Sequence, residues 1–552
     1  MKNILIVNLK RFGDILTTAN LVNSYICENP KNKVSLLIFK EFERAAKNIA
    51  NVDQIFTIDR EKFLTLHKNK IFSDAFSLNT LINNLSDIKS TDWDVVFNYS
   101  NDRVSTHLCS FFKNNAASTV GISFNNTCSI EYSSEWDIIF NDVITSYKYS
   151  PINFIDTYHK MANLTKAKRS AVLRTNEVHN KSAVTNFGQI RKSADGESRK
   201  IIGVQLTAST SRKELEREKL ITLIDTIASD DRFVPVLLLA PTDTERSILK
   251  EVNGEFNNSL ISIEADFLAL NSVLMNIDLL VTPDTACKHA ADLLGTPTIE
   301  ISLGESPLFK QGVTNEDSLI YTNDVSTRSF SIKECSKQEQ NNMITAEDIF
   351  AGIEYLLEGK NIERLSDGVT IYHPVSDKLG SRYSWFAGEL NEKIEINRHI
   401  GRQFINNFFG LGEDLSIYAD VGRYSKDGIA SWLNTEKSVL TEFTKDLLGA
   451  LRSLTGNGSS RKNEFIHNLG TLLSYCEYDG INAIPAIIFR ARVEALNTSN
   501  IDHSTKEIEG LLYELKGDLQ KLHKTFKSFE EFIFNKGKED RITARKESTS
   551  MP

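Results

Sequence analysis

Residues Leu279 to Ile301 read LLVTPDTACKHAADLLGTPTIEI, and the order of residue types in this stretch decides the fold. An apolar strand runs directly into Pro283-Asp284-Thr285, which opens a helix rich in small residues. Leu294-Gly295-Thr296-Pro297 closes that helix before a second β-rich run at Thr298 to Ile301. Strand, helix and strand in so short a span is the unit that builds parallel sheets with helices packed on them. Thr285 and the backbone N–H groups behind it suit a phosphate, and Asp284 is placed to accept hydrogen bonds from sugar hydroxyls. His289 follows Thr285 by one helical turn on the same face, where a site role and a packed structural role both remain open. Cys287 reads as a packed thiol.

The same texture extends to both sides. Upstream, Ile201 to Gln205, Val234 to Ala240 and Leu260 to Ile263 read as strands of the same sheet. The polar stretch Asn176 to Arg199 reads as a linker or hinge. Before it lies an earlier series at Ile4 to Asn8, Val34 to Phe39, Gln54 to Ile58 and Asp94 to Asn98, with the helical segment Ile15 to Cys27 as a crossover. The class is therefore α/β, with two doubly wound units in series, whose ligands belong beyond the carboxyl ends of the strands. Past residue 374 helical periodicity takes over. Ile508, Leu512, Leu515, Leu519, Leu522, Phe526, Phe529 and Ile533 form a heptad-like seam that needs a partner helix. Helices near Phe386 to Phe408 or Val439 to Leu454 would supply one in the same chain, and a second subunit is the alternative. Residues from about Asn535 read as a disordered tail.

Composition bounds the function. The chain has 552 residues, 41% hydrophobic and 25% charged, which is ordinary for a folded multi-domain protein. Its 64 Lys and Arg against 73 Asp and Glu leave a net charge of −9, which argues against a nucleic-acid coat. Six scattered cysteines without a Cys-x-x-Cys pair indicate neither a zinc cage nor a disulfide scaffold, and a reducing cytoplasm is the expected home. No apolar run is long enough to span a bilayer.

Two further loops carry chemistry. Lys10-Arg11-Phe12-Gly13-Asp14, with Thr17 and Thr18, follows the first strand; Asp14 there either caps the helix or faces the mouth of the sheet as a functional acid. Gly-x-Gly-x-x-Gly is not found in this loop, which weakens a dinucleotide-dehydrogenase reading. Gln205 to Lys213, QLTASTSRK, is a hydroxyl-rich loop ending in adjacent cations, suited either to a diphosphate or to plain solvation.

In this order and spacing, ILIVNLKRFGDILTT, DWDVVFNYSNDRVSTHLCSFF, QLTASTSRKELEREKLITLI, TPDTACKHAADLLGTPTIEI and NNMITAEDIF resemble glycosyltransferase family 9, the ADP-heptose:lipopolysaccharide heptosyltransferases, over about residues 1 to 360. The resemblance implies a GT-B fold, two Rossmann-like domains facing across a cleft, plus an α-helical domain. The divisions expected are residues 1–185 on the acceptor side, 186–365 for the nucleotide sugar, 375–534 as a helical accessory and 535–552 as a tail. It implies an inverting transfer of heptose from a nucleoside diphosphate sugar, ADP-heptose, to a surface glycan, lipid-linked or protein acceptor, without cofactor or metal. Asp14 would be the base, and Lys213 the phosphate-contacting lysine. Thr207, Ser209, Asp284, Thr285, Ala286 and His289 would lie on the donor side, with Asp243 or Glu245 at the ribose. Lys10, Arg11 and Arg103 would lie on the acceptor side. Ala286 stands where the family has glycine, and Leu215 and Glu216 replace its usual tryptophan and proline. A cytoplasmic protein is implied, with peripheral contact at the inner membrane and a homo-oligomer through the C-terminal helices. The competing readings are a non-catalytic sugar-binding scaffold and a nucleotide-sugar epimerase.

Overall fold

The computed structural model describes residues 1–68, 74–145, 150–167, 172–192, 198–323, 343–454, 459–496 and 501–535. The chain forms two compact units. The first comprises Met1–Ser123, Tyr158–Val375 and Tyr383–Glu389, and the second Phe124–Thr157, Ser376–Arg382 and Leu390–Pro552.

The first unit holds two sheets. One contains β1 (Asn3–Val7), β2 (Lys33–Phe39), β3 (Val52–Ile58), β4 (Trp93–Asn98) and β5 (Ala116–Val120) in the order β3-β2-β1-β4-β5. All of its pairs are parallel. Leu5, Val7, Leu37, Val96 and Phe112 are fully buried in the core on one of its faces. Next along the chain comes a two-stranded ribbon, β6 (Ser123–Phe124) with β7 (Ile130–Glu131), which from Phe124 onward belongs to the second unit.

The second sheet repeats the plan with β8 (Lys200–Gln205), β9 (Phe233–Leu239), β10 (Ile261–Glu264), β11 (Leu279–Pro283), β12 (Thr298–Ile301) and β13 (Leu319–Asn323). Their order is β10-β9-β8-β11-β12-β13, all parallel. A hairpin of β14 (Val369–Asp377) and β15 (Gly380–Gly388) then joins β13 in antiparallel register. Pro374 lies beyond the residues Val369 to Tyr372 that pair with β13, so its missing N–H costs no bond there.

In both sheets the strand order reverses once, between β1 and β4 and between β8 and β11. Those reversals open a crevice at the carboxyl ends of the strands. The loops after β1, β8 and β11 are the three singled out in the sequence. The expected α/β class with two Rossmann-like sheets is what the chain adopts.

Three expectations change. The stretch Asn176 to Arg199 is no plain hinge: Asn176 caps the helix Glu177–Ile190 by accepting from the N–H groups of Val178 and His179. That helix shows one buried face, through Ala183 and Phe187, and its polar remainder disguised it. Strand structure also persists to Gly388, where helices were expected from residue 374; the alternation of β14 and β15 ends at Asp377-Lys378-Leu379-Gly380, with Gly380 at φ +112°. Finally, Phe124–Thr157, placed by sequence in the first domain, belongs with the C-terminal helices. Trp136 stacks on Phe409 at 3.6 Å, and Arg492 Nε donates to Glu135 at 3.1 Å.

The second unit is helical, with Glu392–Phe408, Leu415–Val421, Lys426–Leu454, Ser459–Ser474, Ala483–Glu494 and Ile501–Glu530 as its main elements. The apolar seam of Ile501–Glu530 is buried within the same chain. Trp432 meets Phe526 and Phe529 at 5.9 and 6.1 Å, and Asn407 donates to Thr525. Of the tail expected at 535–552, residues 536–552 fall outside the described residues. No described helix is long and apolar enough to cross a membrane.

Candidate active site

The loop after β1 starts the helix Phe12–Glu28, with Asp14 in its first turn. Asp14 Oδ2 accepts from the Arg11 backbone N–H at 3.4 Å, the capping interaction its position suggested. Its other oxygen accepts from Gln311 Nε2 at 3.1 Å, a residue of the short helix Leu308–Gln311 in the second Rossmann-like half. The Asp14 carbonyl accepts from Asn8 Nδ2 at 2.9 Å and from Thr17 Oγ1 at 2.9 Å, so buried polar groups of β1's exit fix the turn. Thr17 also bonds Tyr99 Oη at 2.9 Å, tying the turn to the loop after β4.

Gly13 lies against the helix Ala286–Leu294. A Cβ there would come within 2.7 Å of His289 Cδ2 and 3.8 Å of Ala286 Cα. The absence of a side chain at position 13 is what lets the two helix starts meet. Asp14 and the Asp-Thr segment are therefore neighbours.

Asp284 sits at the end of β11, its side chain 9% exposed between two lysines. Lys213 Nζ donates to Oδ2 at 2.7 Å and Lys288 Nζ to Oδ1 at 2.5 Å. Lys288 also reaches Glu300 at 3.3 Å and the Gln311 carbonyl at 2.9 Å. Burial opposes the charge on Asp284, but the cations of Lys288 and Lys213 outweigh it and hold the carboxyl far below the usual carboxylate range. Burial likewise works against the charge on Lys288, and Asp284 and Glu300 outweigh it, so its pKa rises. Glu300 is pushed up, chiefly by burial, with Lys288 opposing. His289 is lowered to about 4 by burial and then by the Lys288 cation, which makes it a neutral imidazole near neutral pH.

Thr285 caps its helix by accepting from Lys288 N–H at 3.5 Å, and its hydroxyl lies 3.3 Å from that of Thr282. The loop after β8 ends in a single turn, Ser211–Lys213. Within it Thr207 is buried and Ser209 is exposed. Thr210 Oγ1 donates to Glu305 at 2.9 Å, and Ala208 N–H donates to Glu214 at 2.8 Å. Gly304, at φ +56°, lets the loop after β12 approach, since a Cβ would lie 2.8 Å from the Arg212 carbonyl.

Other candidates lie further out. Asp243 is fully exposed and pairs with Arg246 at 2.9 Å, whereas Glu245 turns inward and accepts from Ala240 N–H at 2.7 Å. Of the two ribose candidates, Glu245 is the one held at the end of β9. Lys10 is half-buried and Arg11 exposed in the loop after β1, and exposed Arg103 begins the helix after β4. All three flank the strand reversal of the first sheet. Among the described residues, no group of three or more His, Cys, Asp or Glu side chains is arranged to hold a metal ion.

Sequence reading missed Lys288, Glu300 and Gln311. Lys288 and Glu300 did leave a signal: Glu300 is a lone charge in a buried strand, and Lys288 is a cation in a buried helix of small and apolar residues that it shares with Asp292. Gln311 left none, since only the folded chain brings it to Asp14.

The model of Glycosyltransferase family 9 (heptosyltransferase) matches residues 147–339. Over that segment the chain is similar to the family 9 glycosyltransferases. The matched segment spans β8 to β13 with Lys213, Asp284 and His289, and begins after Asp14. No curated protein matches the chain. Among solved structures it is similar to a family 9 glycosyl transferase from Veillonella parvula, at 14% identity and a TM-score of 0.48, covering 65% of this chain and 98% of that one. It is also similar to ADP-heptose lps heptosyltransferase II of E. coli, at 12% identity and a TM-score of 0.44, covering 65% and 99%. A putative UDP-N-acetylglucosamine 2-epimerase from Listeria monocytogenes gives 10% identity and a TM-score of 0.35, covering 64% and 88%.

Proposed function

We propose that this family 9 glycosyltransferase is an inverting enzyme of the cytoplasm. It moves heptose from ADP-heptose to a hydroxyl of a surface glycan, lipid-linked or protein acceptor. The reading rests on one observation. A continuous run of hydrogen bonds leads from the Asp14 carboxylate through Gln311 and Lys288 to Asp284 and Lys213. A base and a phosphate-binding cation on the two halves of one cleft are what a single displacement requires.

Asp14 takes the proton of the acceptor hydroxyl as its oxygen attacks the anomeric carbon. The bond from that carbon to the diphosphate oxygen breaks on the opposite face, which inverts the centre. Arg11 N–H and Gln311 orient the carboxylate for this. Lys213 and the N–H groups at the start of the Ala286–Leu294 helix take up the charge that develops on the departing diphosphate. Thr207 and Ser209 line the diphosphate, Asp284 faces the sugar, and Lys10, Arg11 and Arg103 receive the acceptor.

The test is release of ADP from ADP-heptose on addition of acceptor. Release that requires acceptor and is lost with Asp14→Asn supports the reading. Conversion of donor alone points to an epimerase, and donor binding without turnover points to a scaffold; either result overturns it.

A further inference from the structure

Lys213 and Lys288 share one carboxylate but differ in what each has left to give. An ammonium group has three N–H donors. Those of Lys288 are all taken, by Asp284 Oδ1, Glu300 Oε1 and the Gln311 carbonyl, and its side chain is 1% exposed. Glu300, its second acid, is held in turn by Val313 N–H at 2.8 Å. Lys288 is a fixed cation with nothing to offer a ligand. Lys213 has one hydrogen-bonded side-chain partner among the described residues, Asp284, and sits on a single turn at the end of a loop. Among the described residues, its other two N–H donors make no hydrogen bond.

Taking Lys213 away from Asp284 would ordinarily strand a buried carboxylate, which is the strongly destabilising way to break a buried pair. Here it does not, because Lys288 stays. We propose that Lys288 is the standing counter-ion of Asp284, which frees Lys213 to exchange that carboxylate for the diphosphate of an incoming nucleotide sugar. Lys288 is thus a positioning residue: it touches no substrate and acts through Asp284 and Lys213. The proposal rests on the transferase reading above.

The experiment is calorimetric titration of the full-length chain with ADP, and with UDP in parallel. Lys288→Met leaves Lys213 as the only cation beside Asp284, and ADP affinity should fall at least about tenfold. Adding Asp284→Asn removes the charge that detains Lys213. Lys288→Met/Asp284→Asn should therefore bind ADP within about threefold of Asp284→Asn alone. A purely structural lysine would show no such rescue. Lys288→Met/Glu300→Gln, which leaves no unpaired acid at position 300, should weaken ADP as Lys288→Met does and serves if the single variant does not fold. Wild-type affinity in Lys288→Met and in Lys288→Met/Glu300→Gln, or a double variant with Asp284→Asn no better than Lys288→Met, overturns the proposal while leaving the transferase reading intact. A wild-type chain that binds neither ADP nor UDP overturns that reading, and this inference with it.

Discussion

Each unit of the chain buries a network of charges, and the two networks differ in what they leave unfinished. In the helical unit, Arg402 clasps Asp377 through Nε at 2.7 Å and Nη2 at 2.6 Å, and also donates to the carbonyls of Pro151 and Gly380. Asp377 also takes the Leu379 N–H and lies 3.3 Å from Arg382. That network is turned inward, since even Arg382 Nε, which makes no hydrogen bond among the described residues, faces Asp377 at 3.3 Å, and it braces the turn Asp377–Gly380 against the helix Glu392–Phe408. Around Asp284 the charges are buried less completely, Lys213 has one hydrogen-bonded side-chain partner among the described residues, and Gln311 links the cluster to Asp14. Buried charge by itself therefore does not mark a site. Spare hydrogen-bonding capacity beside a developing charge does.

That distinction can be broken from either side. The largest expected effect is on chemistry: Asp14→Asn should lower turnover by about 10² to 10⁴ while leaving ADP affinity within about twofold, measured by ADP release and calorimetry. An equal loss of ADP binding would mean that Asp14 serves the donor and not the acceptor. Arg402→Met should do the reverse, costing roughly 3 to 5 kcal/mol of unfolding free energy in urea and leaving ADP binding of the folded fraction unchanged, because it removes two hydrogen bonds from the buried Asp377 carboxylate and leaves it Arg382, which lies 3.3 Å away without a hydrogen bond to it.

Both networks also hold a buried neutral histidine, His289 and His399, each lowered to about 4 by burial and then by a neighbouring cation, Lys288 or Arg398. A histidine whose folded pKa lies below its unfolded value binds a proton more readily when unfolded. Stability should therefore be full above pH ~6.5 and decline as pH falls toward ~4, by up to about 3 kcal/mol per histidine. Replacing either by Gln should flatten the decline, and chemical denaturation between pH 4 and 7 reads it. A decline insensitive to both changes would assign it to other groups. The smallest effect expected is that of Gly13→Ala, whose added methyl would press on His289. It should cost about 1 to 3 kcal/mol in thermal or urea unfolding and slow turnover by shifting Asp14.

Much of this was legible before folding was considered. The strands β1, β2, β8, β9, β11 and β12 announce themselves because burial on both faces demands continuous apolar runs. β5 does not, because Ala116–Val120 is a half-exposed edge strand of small and polar residues. The helix Glu177–Ile190 went unread for the same reason, its apolar face being only two buried residues wide. At the site, Asp14, Lys213 and Asp284 were readable because each follows a strand at a helix start or turn. Asp243 was readable only as one of two acids, and it proved to be the one turned to solvent.

The chain's own order of residue types determined the parallel sheets, the loops that bear the candidate site residues and the helical character of the C-terminal region, since those follow from local periodicity and from where glycine, proline and caps interrupt it. Tertiary structure alone decided that Gln311 meets Asp14, that Lys288 closes on Glu300 while Lys213 reaches Asp284, and that Phe124–Thr157 belongs with helices hundreds of residues later. Those outcomes depend on which distant groups share a low-dielectric space, where a charge must find its partner across the fold because water no longer supplies one.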